Sequence, residues 1–384
     1  MSPPPSALSA SPPPAHKKEL TSGQHSPLFS QLLPWTQFPA EITGRTVWER
    51  RDYVEHPEKW VHVWTPEQVA EIEAATEAYV ASGRPLVEIT RESFPLPTVR
   101  ILLERTREDL VDGKGFALFK GLPVEEWGVE RSAVAYMGLG TYVGHFLSQN
   151  AHGHVLGHVK DLFEDSSAID RVRIYRTNAR QYFHSDDSDV VGLLCLSRAL
   201  SGGESDIASS HRVYNVLRRR HPAVLETLSQ PIWHFDRKGE VSRGQAPYLR
   251  AAVFYCYRGR VISKWDPYFV RSVTRFVEQG LVPPLTPAQE EAMKVLEETC
   301  VEESLHMVLD VGDLQWVSNN HVFHARTAYT DHPPPAKRRH LLRLWLSTPE
   351  SEGGWELPFW DSAKEKRGGI QVDEMPEVAP LDAE

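Results

Sequence analysis

The sequence predicts a β-rich α+β protein built on a double-stranded β-helix, a jelly-roll barrel of two facing sheets with flanking and inserted helices. Three observations carry this expectation. From Arg171 onward the chain breaks into short runs, RVRIYRTN, DVVGLLCL, AAVFYCY, VISKW, LHMVL, LQWV and HLLRLWLS, rich in β-branched or aromatic residues and separated by turn-forming ones. Two helical patterns interrupt them, one opening at Asp266-Pro267 and one at the capping box Thr286-Pro287-Ala288-Gln289. The 384 residues also suit one decorated barrel, because β folds of this kind pass about 200 residues as a single unit.

The elements follow in order. Residues 1–26, opening MSPPPSALSASPPPAHKK, lack apolar periodicity and read as a disordered Pro/Ser-rich tail. A single domain over residues 27–350 then begins with an arm carrying Trp35, Phe38, Trp48 and Trp60. Thr65 supplies an N-cap, Pro66 a first helical turn and Gln68 the reciprocal half of a capping box. Val69, Ile72 and Tyr79 share one face of that helix, and Gly83 stops it. A second helix is expected from Thr98 to Val111 with Ile101, Leu102 and Leu110 inward, followed by a strand in FALFKGL, 116–122. Residues 351–384 read as an extended acidic tail on the surface, anchored by Trp355 and Trp360.

Composition removes several classes of function. A formal net charge of −10 argues against a duplex nucleic-acid binder, which carries a basic footprint. Arg218 to Arg220 follow a helical run and read as a solvated helix end. Three scattered cysteines, Cys195, Cys256 and Cys300, do not make a disulfide framework and fit a reducing compartment. No apolar stretch reaches membrane-spanning length and no secretory h-region is present, so a cytoplasmic protein without a membrane partner is expected.

The chemistry concentrates in a few segments. In Tyr182-Phe183-His184-Ser185-Asp186, strand alternation turns His184 and Asp186 to one side, where an imidazole and a carboxylate can meet one ion. Such a pair is common by chance and gains meaning only with a third ligand. Asn320-His321-Val322-Phe323-His324-Ala325-Arg326 offers His321 or His324. Two histidines and one carboxylate form the facial triad of non-haem Fe(II) oxygenases and leave positions open for cosubstrate and O2. In Arg338-Arg339-His340-Leu341-Leu342-Arg343, the guanidiniums of Arg339 and Arg343 share a strand face and need an anionic partner, which a dicarboxylate supplies.

The ordered set H-S-D, Gly202-Gly203-Glu204-Ser205, N-H-V-F-H-A-R and R-R-H-L-L-R-L-W resembles the TauD/TfdA family over roughly Gly115 to Ser347. The resemblance implies Fe(II), 2-oxoglutarate and O2, with release of succinate and CO2. It implies His184, Asp186 and His324 as metal ligands, leaving His321 outward or behind them. It places Ser205, where the family has threonine, and Arg339 on the distal carboxylate of 2-oxoglutarate. Arg343 then faces an acidic group of the substrate, and the two arginine roles are exchangeable because strand register is not legible. The family's oligomers extend to this chain as an expected homo-oligomer.

Gln149, Asn150 and Asn178 are further candidates for substrate contact, and the expected substrate is a small acidic or amino-acid-like metabolite undergoing hydroxylation, desaturation or cyclisation. His145, His152, His154 and His158 match no zinc spacing and read as loop histidines. Asp187 and Asp189 read as loop charges. Two other functions remain as alternatives: a cupin-like zinc hydrolase or isomerase, and an inactive ligand-binding relative. Neither calls for Ser205 and Arg339 as a dicarboxylate grip together with an intact triad.

Overall fold

The computed structural model describes residues 32–334, 336–359 and 361–383; the expected 1–26 tail and Trp360 lie outside the described residues. Two largely antiparallel layers face each other. The smaller sheet has the order Leu305–Met307, Ser205–Ser209, Val322–Arg326, Gln181–His184. The larger runs Val61–Val63, Phe116–Lys120, Leu314–Ser318, Val190–Ser197, His340–Ser347, His145–Phe146, with Leu156–Val159 also paired to His340–Ser347. Its single parallel pairing joins Val61–Val63 to Phe116–Lys120. This is the expected jelly-roll arrangement.

Alternation along the strands decides which side chains reach the space between the sheets. In Val322–Arg326, Phe323 and Ala325 pack outward with Tyr214, Leu225 and Leu296 of helices Ser210–Arg220, Pro222–Leu228 and Pro287–Glu303. Val322 faces the other way, against Val191, Ile207, Val317 and Trp345. His324 and Arg326 share its side. In His340–Ser347, Leu342, Leu344 and Leu346 pack with Tyr136 and Leu139 of the kinked helix Val124–Gly140, which leaves Arg343 inward. A slip of one residue would bury His324 among apolar helices, so the outer apolar faces fix the register of the inner polar ones.

Local rules hold in some places and are overridden in others. Helix Pro66–Ala81 carries both halves of its capping box, as does Pro287–Glu303. The next helix runs Val99–Asp112, but its buried stripe is Val99, Leu103, Thr106 and Leu110, and Ile101 is exposed. The Thr98 side chain donates to Glu71 instead of capping the helix, and the Glu71 carboxylate does so, accepting from the Thr98 and Val99 N–H groups at 2.9 Å. The aromatic arm folds onto the body: Trp48, Tyr53 and Trp60 surround Phe116, and Trp48 Nε1 donates to the Lys114 carbonyl at 2.7 Å.

The segment after residue 350 is more than a surface wrap. Trp355, Leu357, Phe359 and Ile370 are buried, and the Arg367 guanidinium is wholly enclosed. All three cysteines are free and buried. Among the described residues, no helix is long and apolar enough to cross a membrane.

Candidate metal centre and its two cavities

Neighbouring strands bring the polar residues together. His184 and His324 are directly paired across the sheet, and their ring centroids lie 4.1 Å apart. Asp186 follows the end of its strand, with Oδ1 3.8 Å from His184 Nε2 and Oδ2 3.7 Å from His324 Nε2. Ligand atoms from the three residues all fall within 4.8 Å, the sole such His/Cys/Asp/Glu group among the described residues. The backbone N–H of Asp186 donates to Asn319 Oδ1 at 2.9 Å, fixing the loop that carries the carboxylate.

The protonation states suit a metal. His184 Nδ1 lies 2.9 Å from the Tyr182 carbonyl, which requires the proton on Nδ1 and leaves the Nε2 lone pair inward. Burial, followed by the neighbouring His184, pushes His324 down to about 3, so its imidazole is neutral. Burial alone would raise the Asp186 carboxyl, but Arg343, His324 and His184 together hold it below the ordinary range. The imidazoles of His184 and His324 and an ionised carboxylate on one side of a space are the donor set of the 2-His-1-carboxylate triad.

His321 takes no part in this group. It is fully buried on the outer side of the sheet, stacks on Trp355 at 5.1 Å, and its Nε2 lies 3.1 Å from the Leu110 carbonyl.

Two cavities meet at the triad, sharing Tyr175, Gln181, Asp186 and Arg343. The first extends past His184 and His324 to Ser205, Gln315, Arg326 and Arg339. Arg339 is buried, one of its donors reaches the Gly203 carbonyl at 3.2 Å, and its Nη1 has no partner. A Cβ on Gly203 would stand 2.6 Å from Arg339 Nε, so glycine is required for the arginine to lie there. The Ser205 hydroxyl sits 3.1 Å from the Gln315 amide. The second cavity leads to Arg173, Lys264 and Asp266 and then to an apolar end formed by Phe235, Leu249, Tyr255 and Phe269.

The other candidates separate. Arg343 lies at the junction: Nη1 is 3.9 Å from Asp186 Oδ1, and its guanidinium stacks on Tyr175 and Trp345. Gln149 is a positioning residue behind it, accepting from Arg343 Nε at 2.7 Å and donating to the Arg343 carbonyl at 2.9 Å. Asn150 instead closes a turn, its Oδ1 accepting from the backbone of His152 and His154. Asn178 is exposed in a bend, where its carbonyl accepts from Tyr329 N–H. The turn at Ile174–Arg176 replaces the strand expected there, so Tyr175 reaches the cavity and Asn178 does not.

The histidines expected in a loop remain outside the centre, but His145 and His158 lie in the strands His145–Phe146 and Leu156–Val159, because both strands pair with His340–Ser347. His145 pairs with Glu352 and Glu365, while His158 Nδ1 lies 2.8 Å from His340 Nε2. Asp189, by contrast, has a structural function: its carboxylate forms a buried pair with Arg367 at 2.7 Å, and its carbonyl accepts from Asn319 N–H.

A jelly roll with this donor set, beside a pocket whose inner end carries an unsatisfied arginine, defines a class: mononuclear non-haem Fe(II) enzymes that use 2-oxoglutarate. The chain belongs to the taurine catabolism dioxygenase TauD, TfdA family, which it matches over residues 82–345. It is similar to FR-33289 synthase of Streptomyces rubellomurinus, 31% identical over 339 residues, 87% of this chain and 97% of the relative. It is also similar to the taurine hydroxylase-like protein SAT17 of Stachybotrys chartarum, 28% identical over 298 residues, 76% of this chain and 75% of the other. Among solved structures, the fold matches asparagine oxygenase in complex with Fe(II), 2S,3S-3-hydroxyasparagine and succinate (TM-score 0.58, 19% identity, 75% of this chain and 94% of that one). It also matches the non-haem iron oxygenase OrfP with Fe and alpha-ketoglutaric acid (TM-score 0.57, 15% identity, 80% and 99%). The protein is a 2-oxoglutarate-dependent dioxygenase that works with Fe(II).

Proposed function

We propose that His184, Asp186 and His324 hold Fe(II), that Ser205 and Arg339 hold the distal carboxylate of 2-oxoglutarate, and that Arg343 grips the substrate's acidic group beside the metal. One observation carries the assignment: the two cavities join at the triad, with Arg339 in the first and Arg343 between them. Bound iron supplies the oxidising chemistry, in which 2-oxoglutarate, O2 and a substrate C–H give succinate, CO2 and an alcohol. The chain's own groups orient the reactants. The stacked, Gln149-clamped Arg343 keeps one geometry, and the apolar end of the second cavity limits water.

The substrate is a small acidic or amino-acid-like metabolite. Arg343 and Lys264 offer positive charge and Asp266 a carboxylate around one cavity, so both ends of a zwitterion find partners there. The asparagine and hydroxyarginine named in the neighbouring structures support the same class. The buried free cysteines support a cytoplasmic setting, and a homo-oligomer remains part of the proposal.

Arg339→Gln tests the cosubstrate assignment. Removing a charge-assisted pair worth about 1.5–3 kcal/mol should weaken 2-oxoglutarate roughly 10- to 100-fold. Calorimetric titration of the Fe(II)-loaded protein without oxygen reads the change. Unchanged affinity would transfer the carboxylate to Arg343.

A further inference from the structure

We propose that Arg326 is a second guanidinium of the cosubstrate pocket, sharing the distal carboxylate of 2-oxoglutarate with Arg339 and Ser205. The assignment rests on the cosubstrate reading above and adds a residue to it. Arg326 lies two residues after His324 on the same strand, hence on the same inner face. It is in register opposite Ser205 on the neighbouring strand and lines the cavity that holds Ser205, Gln315 and Arg339.

Its hydrogen bonding is half complete. Nη2 donates to the backbone carbonyls of Thr177 and Ala179, while Nε and Nη1 are buried without a partner. Arg339 Nη1 is in the same condition. Three unsatisfied donors from two guanidiniums therefore belong to one cavity. Both groups lie 4.9 Å from the Tyr329 ring, which holds the like charges near each other.

Buried unpaired cations are costly, and adjacent like charges add to the cost. A carboxylate resolves the imbalance: its two oxygens accept about four hydrogen bonds, enough for donors from both arginines and the Ser205 hydroxyl. A single negative group so placed would also connect cosubstrate binding to the 177–179 backbone that Arg326 fastens.

A pure fastening role must be separated from a ligand role. The probes are 2-oxoglutarate and 2-oxopentanoate, which has the same chain length and 2-oxoacid head but a methyl in place of the distal carboxylate. Each is titrated calorimetrically, without oxygen, into the full Fe(II)-loaded chain and its Arg326→Gln variant. Loss of one charge-assisted contact should weaken 2-oxoglutarate about tenfold or more and leave 2-oxopentanoate unchanged. Equal losses for both probes, or no loss for either, would overturn the assignment. If Arg326→Gln does not fold, the same ratio is read in Arg326→Lys, where a severalfold fall is expected and an unchanged ratio overturns it. Failure of 2-oxoglutarate to bind the unsubstituted protein would overturn the cosubstrate reading itself, and the Arg326 assignment with it.

Discussion

His324→Ala is expected to abolish iron binding and turnover, while His321→Ala is expected to keep both and lower stability. The two histidines are three residues apart in one motif, yet strand and turn geometry send them to opposite sides of the sheet. His324 Nε2 lies 3.7 Å from Asp186 Oδ2, inside the triad. Losing an outer-shell partner of a metal typically costs about 10- to 100-fold in affinity or activity, and removal of a direct ligand should exceed that. His321 instead stacks on Trp355 and serves the Leu110 carbonyl. Its removal leaves a cavity and a buried acceptor without a partner, a loss of about 1–3 kcal/mol. Bound iron by atomic absorption, succinate formation and a melting curve on each variant check the pair. The reverse pattern would reassign the third ligand.

Arg367→Ala should be the most destabilising single change at a distance from the triad, by about 3–5 kcal/mol, because it strands a buried carboxylate. Arg367 Nε donates to Asp189 Oδ2, and the remaining donors reach the carbonyls of Trp355, Ser362 and Thr348 at 2.6–2.8 Å. Asp189 also accepts from Thr348 N–H and Asn320 Nδ2. Its carbonyl accepts from Asn319, whose side chain holds the Asp186 backbone. One guanidinium thus joins the C-terminal segment to the loop bearing Asp186 of the candidate metal centre.

Burial would raise the Asp189 carboxyl, but Arg367 keeps it below the ordinary range. The pair's contribution is therefore fully present above the unfolded carboxylate value, about 3.9, and is lost as pH falls through the lower folded value. Urea unfolding near neutral pH measures the effect. A change under about 1 kcal/mol would show that the pair does not anchor the segment.

What the sequence disclosed and what it concealed follow from contact range. Capping boxes at Thr65 and Thr286 are local and formed as read. The His184, Asp186 and His324 group was legible from the H-S-D motif and the family spacing from Asn320 to His324, although the strand Gln181–His184 ends before Asp186 and alternation does not place it. Helix Val124–Gly140 was not foreseen: it is kinked at Gly128 and buried on every side from Ser132 to Gly140, so it shows no amphipathic period. Asn178 was misplaced because a turn replaces an apparent strand. Gln149 lines the second cavity, as the reading for substrate contact requires, but its clamp on Arg343, 194 residues away, has no local signal. The Arg367–Asp189 pair spans 178 residues, and nothing in either segment signals the other. Arg326 was visible in the motif, but only the missing partners of its buried donors distinguish it from a packing arginine.

The most direct test of the central assignment is succinate formation from 2-oxoglutarate by the purified chain supplied with Fe(II), ascorbate and O2. Slow conversion alone is expected, rising when a small acidic or amino-acid-like substrate is added and disappearing in His324→Ala. No succinate with any such acid, with iron verified in the site, would contradict it.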